Sequence, residues 1–238
     1  MIWDVALRKQ LRHDGARFDV DVQFRSDASR LVLFGPSGAG KTQTLKMLAG
    51  IVRPDSGRVV VAGRVLYDSS AGIFLSPQQR RLAFVFQDYA LFPHLTVRQN
   101  IAFARPRPGR GWLNPARGAA HLADRVVDRW VESFHLQAVV GQYPHQISGG
   151  QRQRTALARA LVNEPTALLL DEPFAALDKA LRQRLRDELR ELQAALDIPL
   201  LLITHDDDDV HTLAEEVVHL LAGRVATEAA RAARVALA

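Results

Sequence analysis

The sequence contains no cysteine, which excludes disulfide bonds and thiolate metal sites. It also lacks any apolar run near the roughly 20 residues that cross a bilayer, because "ALLL" at 167–170 and "IPLLLI" at 198–203 are the length of strands. The N-terminus "MIWDVALRKQL" carries an acid and has no apolar core of a secretion signal. These absences predict a cytoplasmic protein.

The 238 residues carry a net charge of +5 and have a sequence pI near 10, a basic balance that would suit a nucleic-acid partner. The length is ample for one large domain or two small ones. The basic residues are scattered through one loop and along a helix where acids alternate with them: Arg105, Arg107, Arg110, Arg182, Arg184, Arg186 and Arg190. Such spacing is typical of a solvated face rather than a groove for a phosphate backbone. We therefore expect no nucleic-acid partner.

Hydrophobic periodicity divides the chain into three parts. Alternation in "RFDVDVQF" predicts a half-buried strand, "LVLF" predicts a fully buried one, and "RVVVAGRVL" predicts a hairpin around Ala62–Gly63. From Asp88 to Leu161 the pattern favours loops and helices, with one helix at 119–134. Strands in "TALLLD", in "PLLLIT" and at 217–221 then alternate with helices at 177–196 and from Asp207.

This order predicts an α/β fold with a mainly parallel sheet core, N-terminal antiparallel strands and an inserted helical subdomain. We expect a single domain over residues 1–225. Its core would comprise residues 1–87 and 162–225, and the helical subdomain residues 88–161. Residues 226–238 form a short tail rich in alanine and arginine, which we expect to be helical.

The segment "GPSGAGKT" at 35–42 matches the P-loop pattern between a predicted strand and a predicted helix. Its glycines let backbone N–H groups turn inward around phosphate oxygens, Lys41 supplies a mobile positive charge, and the Thr42 hydroxyl can bind Mg²⁺. A glycine turn without a ligand is disfavoured by this context. The predicted nucleotide-binding residues are Gly35, Pro36, Ser37, Gly38, Ala39, Gly40, Lys41, Thr42 and Gln43.

The segment "ALLLDE" supplies two carboxylates at the end of a buried strand. Asp171 is placed to hold the Mg²⁺ shell, and Glu172 to orient or deprotonate an attacking water. An apolar run followed by two acids also occurs at helix N-termini, so the pattern is weak alone. Together with the P-loop it predicts hydrolysis of a nucleoside triphosphate.

Four further motifs, in order, resemble the ATP-binding cassette (ABC) family. Gln87 in "FVFQD" occupies the position of its Q-loop and His205 in "LLITHD" that of its switch histidine. Asp178 in "AALD" matches the D-loop. The segment "ISGGQ" matches the family signature, with isoleucine for the commoner leucine, through Ser148, Gly149, Gly150 and Gln151. The resemblance runs from near the N-terminus to about residue 225.

The resemblance implies an ATPase with a RecA-like P-loop core that uses ATP and Mg²⁺. It implies that Gln87 contacts Mg²⁺ or the attacking water and that His205 contacts the γ-phosphate, with Lys41 and Glu172 completing the catalytic set. It also implies that two copies enclose two ATP molecules head to tail. Ser148, its neighbouring glycines, Gln151 and Asp178 would then contact the nucleotide held by the other copy.

The same resemblance favours a transporter subunit. "QDYALFPHLTVRQNIAF" resembles bacterial importer ATPases, which dock on permease subunits at the cytoplasmic face of the inner membrane and work indirectly with a solute-binding protein. "GRVLYDSSAGIFLSPQQRRLAFVFQD" resembles molybdate-importer ATPases, many of which carry a C-terminal anion-sensing domain that this chain is too short to hold. The alternative is a soluble ABC ATPase of repair or translation.

Some residues depart from the family pattern. Gln43 replaces a usual hydroxyl residue, and no clear adenine-stacking aromatic precedes the P-loop, where Phe18 and His13 are the candidates. His211, Glu215 and His219 have metal-site spacing on a helix, but "VVHLL" predicts that His219 lies on a strand. The acids of "DDDD" at 206–209 are expected at a helix N-terminus, with Asp209 near a position where the family often has glutamate.

Overall fold

A computed structural model describes residues 1–13, 16–105, 125–175 and 177–226. The chain divides into two compact units. The first comprises Met1–Leu82, Thr166–Glu172 and the chain from Arg186 onward, and the second comprises Ala83–Pro165 and Pro173–Leu185. The predicted single-domain organisation and its helical subdomain at 88–161 stay predictions.

Eleven strands and seven α-helices lie within the described residues. The strands are β1 Trp3–His13, β2 Ala16–Ser26, β3 Arg30–Phe34, β4 Ser56–Val61, β5 Arg64–Asp68, β6 Ile73–Phe74, β7 Leu82–Val85, β8 Ala167–Asp171, β9 Leu200–Thr204, β10 Glu216–Leu221 and β11 Arg224–Val225. The helices are α1 Lys41–Leu48, α2 Pro77–Arg80, α3 Val97–Phe103, α4 Arg125–Ser133, α5 Gly149–Leu161, α6 Lys179–Leu196 and α7 Asp207–Leu213. Two 3₁₀ turns span Gln137–Val139 and Pro144–Gln146.

The buried strands of the first unit pair in parallel, in the order β10, β3, β9, β8. Every residue of β8 and β9 is buried, as expected for continuous apolar runs that are covered on both faces. Parallel strands end at the same edge of a sheet. The chain segments after β3, β8 and β9 therefore emerge together, and these are the segments that carry the P-loop, the paired carboxylates and His205.

The N-terminal strands pair in the antiparallel sense, in the order β2, β1, β4, β5, β6. In β2, Val20, Val22 and Phe24 are buried and alternate with exposed polar residues, which confirms the predicted half-buried strand. Strand β11 joins the two sets, because it is antiparallel to β10 and parallel to β2. The α/β fold is confirmed, and its sheet is mixed.

Turn and helix ends follow the predicted chemistry. Ala62 and Gly63 connect β4 to β5 with φ values of 48° and 76°, the left-handed conformation that a two-residue hairpin turn requires. Helix α6 begins at Lys179, two residues after its predicted start. Strand β10 includes His219, whereas α7 ends at Leu213, so His211 and His219 do not share a helix.

The described part of the second unit is mainly helical, as the pattern between Asp88 and Leu161 predicted. Asn100 of α3 donates from its amide to the carbonyl oxygen of Leu95 at 2.9 Å, and Arg98 pairs with Asp128 of α4 at 2.5 Å. Helix α4 covers the described part of the helix predicted at 119–134. Residues 106–124 and 227–238, including the predicted helical tail, lie outside the described residues.

Candidate nucleotide site

The P-loop connects β3 to α1, as its pattern predicted. Gly38 and Gly40 have φ values of 79° and 93°, which other residues rarely adopt. A Cβ atom on Gly35 would lie 2.2 Å from the carbonyl oxygen of Leu220 on β10. These glycines therefore let the loop turn tightly, so that backbone N–H groups at the start of α1 can face an anion.

Lys41 supplies the positive charge of this loop. Its side chain is buried, and Nζ donates to the carbonyl oxygens of Gly35 at 2.8 Å and Pro36 at 3.0 Å. Nζ also lies 3.6 Å from Oε1 of Glu172. The ammonium group is thus held between the loop backbone and a carboxylate, a position in which it can neutralise a phosphate.

Thr42 and Asp171 form an oxygen pair that fits Mg²⁺. The Thr42 hydroxyl donates to Oδ1 of Asp171 at 2.9 Å. Asp171 is almost completely buried, and burial raises the pKa of its carboxyl, an effect that the Thr42 hydrogen bond partly offsets. A buried carboxylate beside a hydroxyl is a hard oxygen donor set, and a bound Mg²⁺ would compensate the charge that burial penalises.

Glu172 and His205 form the second pair of the site. Nδ1 of His205 lies 3.2 Å from Oε2 of Glu172, whose side chain is 15% exposed while that of the imidazole is 53% exposed. Glu172 has a φ of 46°, a strained backbone for this residue type, and its N–H donates to the carbonyl of Ile203 on β9. The carboxylate is thus directed by two neighbouring strands, with one edge of His205 open to solvent.

Gln87 lies in the second unit. It follows β7 by two residues, and its side chain is exposed. Its predicted role toward Mg²⁺ or water stays a prediction, because the other candidate catalytic residues lie in the first unit.

The signature residues also lie in the second unit, at the start of α5. Ser148 and Gln151 form a reciprocal cap, in which the Ser148 hydroxyl accepts from the Gln151 N–H at 3.3 Å and the Gln151 side chain accepts from the Ser148 N–H at 2.9 Å. Asp178 similarly accepts from the Leu181 N–H at 3.0 Å. The side chains of Ser148 and Asp178 each hold a helix start, so both have a structural function besides the predicted one.

Both signature glycines pack tightly against leucine side chains near Asp178. A Cβ on Gly149 would lie 3.1 Å from Leu177, and one on Gly150 would lie 3.1 Å from Leu181. Leu177 and Leu181 flank Asp178 in sequence, so the signature and the D-loop are neighbours in the second unit. A larger side chain at either glycine would require the Leu177 or Leu181 side chain to shift by a few tenths of an ångström.

The three residues considered for contact with the nucleobase or phosphate lie at different distances from the P-loop or are only partly described. A Cβ on Gly40 would lie 3.4 Å from Cε1 of Phe18, so this ring lies beside the P-loop. His13 lies on β1, and its side chain is outside the described residues. Gln43 is partly exposed, one residue after Thr42 on α1. Contact of any of these with a nucleobase stays a prediction.

Arg186 corrects one sequence interpretation. The alternating charges predicted a solvated face, but the Arg186 side chain is buried and pairs with Asp209 at 2.5 Å and Asp206 at 2.9 Å. Thr204 also hydrogen-bonds Asp209, so this cluster flanks His205 on both sides in sequence. Asp206 is the N-cap of α7, which confirms the acids expected there. No sequence signal separates Arg186 from its exposed neighbours, because its partners follow it by twenty residues or more.

A family model described as ABC transporter matches residues 19–175. The chain therefore belongs to the ABC transporter family, the class that its cassette fold and P-loop define. Within the described residues, every helix is too short or too polar to cross a membrane.

Curated relatives narrow this class. A molybdenum import ATP-binding protein of Rhodospirillum rubrum is 42% identical over 218 residues, which cover 91% of this chain and 55% of that protein. A sulfate/thiosulfate import ATP-binding protein of Caulobacter vibrioides is 42% identical over 221 residues, which cover 92% of this chain and 62% of the relative. This chain thus spans somewhat more than half the length of the relatives it matches.

A solved structure extends the similarity to the whole cassette. It is a dimeric post-hydrolysis state of an ATP-binding cassette bound to ADP and Pi. The TM-score is 0.74 at 25% sequence identity, and the match covers 95% of this chain and 97% of that one.

Proposed function

We propose that this chain is the Mg²⁺-dependent ATPase subunit of an ABC importer for molybdate or a related oxyanion. The observation that carries the ATPase proposal is the convergence of Lys41, Thr42, Asp171, Glu172 and His205 at one edge of the first unit. A phosphate-binding loop alone would suit a nucleotide-binding module. A carboxylate that contacts both the P-loop lysine and a histidine suits a hydrolase.

Each side chain has a defined task in this mechanism. The P-loop N–H groups and Lys41 hold the phosphates, which places the γ-phosphate near Glu172. Glu172 orients the attacking water and accepts its proton, and His205 holds the carboxylate in place. Thr42 and Asp171 would hold Mg²⁺, which would neutralise charge on the transferred phosphoryl group, and the predicted role of Gln87 toward Mg²⁺ or the attacking water belongs to the same proposal.

The signature residues act on a second copy of the chain. We propose a head-to-tail homodimer in which Ser148, Gly149, Gly150, Gln151 and Asp178 complete the site on the other P-loop. The dimeric state of the related cassette supports this arrangement. Closure would then depend on the γ-phosphate, which both copies contact.

The names of the relatives support the importer assignment. Molybdenum and sulfate/thiosulfate importers both carry tetrahedral oxyanions, and relatives of both names match nine-tenths of this chain. We therefore place the chain at the cytoplasmic face of the bacterial inner membrane, bound to permease subunits and served indirectly by a solute-binding protein. Specificity within the oxyanion class then belongs to those partners.

Replacement of Glu172 by glutamine tests the ATPase assignment. Glutamine keeps the size of the side chain and cannot accept the proton, so hydrolysis should fall at least about a hundredfold while ATP affinity stays within about twofold. Phosphate release and fluorescent-nucleotide binding measure the two effects. Glu164→Gln is the matched control, since Glu164 is exposed and shares a left-handed φ of 49°. Equal activity in both variants would reject Glu172 as the base.

A membrane preparation tests the importer assignment. The tagged chain, isolated from its native membranes and reconstituted in liposomes with its copurified partners, should show ATP hydrolysis that rises with external molybdate and binding protein. Stimulation by sulfate instead of molybdate would identify a sulfate importer and keep the proposal of an oxyanion importer. Purification without a membrane subunit would contradict the importer proposal.

A further inference from the structure

A buried tyrosine connects two segments that carry candidate catalytic residues. Tyr89 follows Gln87 by two residues and is 5% exposed. Its hydroxyl donates to the carbonyl oxygen of Pro173 at 3.2 Å. Pro173 is the residue directly after Glu172.

The backbone around Tyr89 is strained. Tyr89 and Ala90 have φ values of 64° and 43°, and two consecutive left-handed residues without glycine persist only when their surroundings hold them. The Tyr89 N–H donates to the carbonyl of Phe86 at 2.9 Å, which closes a turn around Gln87. The direction in which Gln87 leaves this turn therefore depends on what holds Tyr89 and Ala90.

Arg159 of the signature helix holds that backbone. Its two terminal nitrogens donate to the carbonyl oxygens of Tyr89 and Ala90, each at 2.7 Å, and its guanidinium lies 5.5 Å from the ring centre of Phe92. The forked guanidinium fits two neighbouring carbonyls, a geometry that lysine cannot reproduce. Helix α5, which begins with the signature, is thus tied to the turn that presents Gln87.

We propose that Tyr89 and Arg159 are positioning residues for ATP hydrolysis, which fix the turn at Gln87 to the chain after Glu172 and to the signature helix. This inference rests on the proposed ATPase function. Neither residue touches the reacting atoms. Their effect passes through the backbone, so that loss of the Tyr89 hydrogen bond lets the Gln87 turn relax without loss of the phosphate-binding loop.

Tyr89→Phe tests the proposal with a control that the chain itself provides. Tyr67 is 3% exposed, and its hydroxyl donates to the carbonyl oxygen of Pro54 at 3.2 Å, an equivalent bond in the first unit. Tyr89→Phe should lower kcat for ATP about five- to tenfold with KM within about twofold, whereas Tyr67→Phe should leave both within about twofold. The two variants should lose similar amounts of thermal stability, which separates positioning from stability.

A double-mutant cycle tests the route through Gln87. In a Gln87→Ala background, the further loss from Tyr89→Phe should shrink below about twofold, because the turn no longer presents a functional side chain. Arg159→Lys should act in the same direction as Tyr89→Phe. Arg129→Lys is its control, since Arg129 also lies 5.5 Å from a ring centre, that of Trp130. An undiminished loss in the Gln87→Ala background would overturn the proposal.

Hydrogen exchange keeps this inference separate from the ATPase assignment. Amide protons at 86–90 should exchange about tenfold faster in Tyr89→Phe than in the wild type, and at the wild-type rate in Tyr67→Phe. If the wild type is inactive but shows this exchange pattern, the proposed ATPase function is rejected, and the conclusion that Tyr89 holds the turn at Gln87 is kept. If the wild type is active and both tyrosine variants have equal exchange rates and equal kcat, the positioning role of Tyr89 is rejected.

Discussion

Two adjacent carboxylates at the end of β8 have different surroundings. Asp171 is buried beside the Thr42 hydroxyl, whereas Glu172 has a left-handed backbone and contacts Lys41 and His205. The turn of the backbone at Glu172 separates the two side chains, so one is suited to a cation and the other to water. Strain at a candidate base is consistent with selection for position over stability.

Asp171→Asn should stabilise the chain at neutral pH in the absence of nucleotide and Mg²⁺. Burial raises the folded-state pKa of Asp171 above its unfolded value, so protonation stabilises the fold. This stability is fully present below the unfolded pKa and is lost as pH rises through the folded pKa. The variant should therefore gain on the order of 1 kcal/mol at pH about 7, and the gain should shrink towards pH about 4. Urea unfolding measures both values.

Asp55 supplies a control of opposite sign. The hydrogen bond from the Gln10 N–H, and to a lesser extent that from Lys9, lowers the pKa of Asp55. The ionised carboxylate therefore stabilises the fold above the unfolded pKa, and this contribution is lost as pH falls through the folded pKa. Asp55→Asn should therefore destabilise the chain at neutral pH, and the loss should shrink in acid. A gain for Asp171→Asn that grows in acid would contradict the desolvation argument.

Helices α6 and α7 are joined by a buried ionic cluster. Arg186 of α6 pairs with Asp206 and Asp209, and Thr204 of β9 binds Asp209. His205 lies between Thr204 and Asp206 in sequence. The cluster therefore determines where the end of β9 and the start of α7 lie, although it has no contact with nucleotide in the proposed mechanism.

Arg186→Met should destabilise the chain by about 3–5 kcal/mol, because it leaves the buried Asp209 carboxylate without its cation. Chemical denaturation of the isolated chain measures the free energy of unfolding. Arg190→Met, one turn further along α6 with a side chain that is 51% exposed, should change it by less than about 0.5 kcal/mol. Similar losses in both variants would show that helix α6 responds to any loss of charge.

Across the whole molecule, two helices have the same kind of N-terminal cap, namely the signature helix α5 and helix α3. Thr96 and Gln99 cap α3 at 3.3 and 2.9 Å, the same two distances as Ser148 and Gln151 in α5. Both Ser148→Ala and Thr96→Ala should therefore cost about 1 kcal/mol of stability. In the proposed dimer, Ser148→Ala alone should also lower ATP hydrolysis more than about tenfold, with nucleotide binding by the monomer unchanged.

Mixing of variants checks the head-to-tail arrangement on which that expectation rests. Lys41→Ala removes the P-loop charge, so each mixed dimer with Ser148→Ala contains one intact site. An equal mixture should regain up to about a quarter of the wild-type sites, because half of randomly formed dimers are mixed. A mixture no more active than its two components would contradict a shared site.

Much of this organisation is predictable from local patterns. The parallel core and the edge that carries the candidate site follow from three such patterns. These are the buried apolar runs at β3, β8 and β9, the glycine spacing at 35–42 and the paired acids after β8. They are predictable because periodicity and turn chemistry act over a few residues. The turn at Ala62–Gly63 and the acid-rich start of α7 belong to the same group.

Long-range pairing was decided by the tertiary structure. Arg186 reads as one of several alternating charges, yet it is buried because acids twenty or more residues later meet it. Tyr89 belongs to no local pattern, and its hydroxyl hydrogen-bonds to the carbonyl oxygen of Pro173, which lies 84 residues later in the chain. The sequence by itself therefore determined the fold class and the family, and it predicted the candidate catalytic side chains. Which side chains hold them in place was decided by contacts that no local pattern encodes.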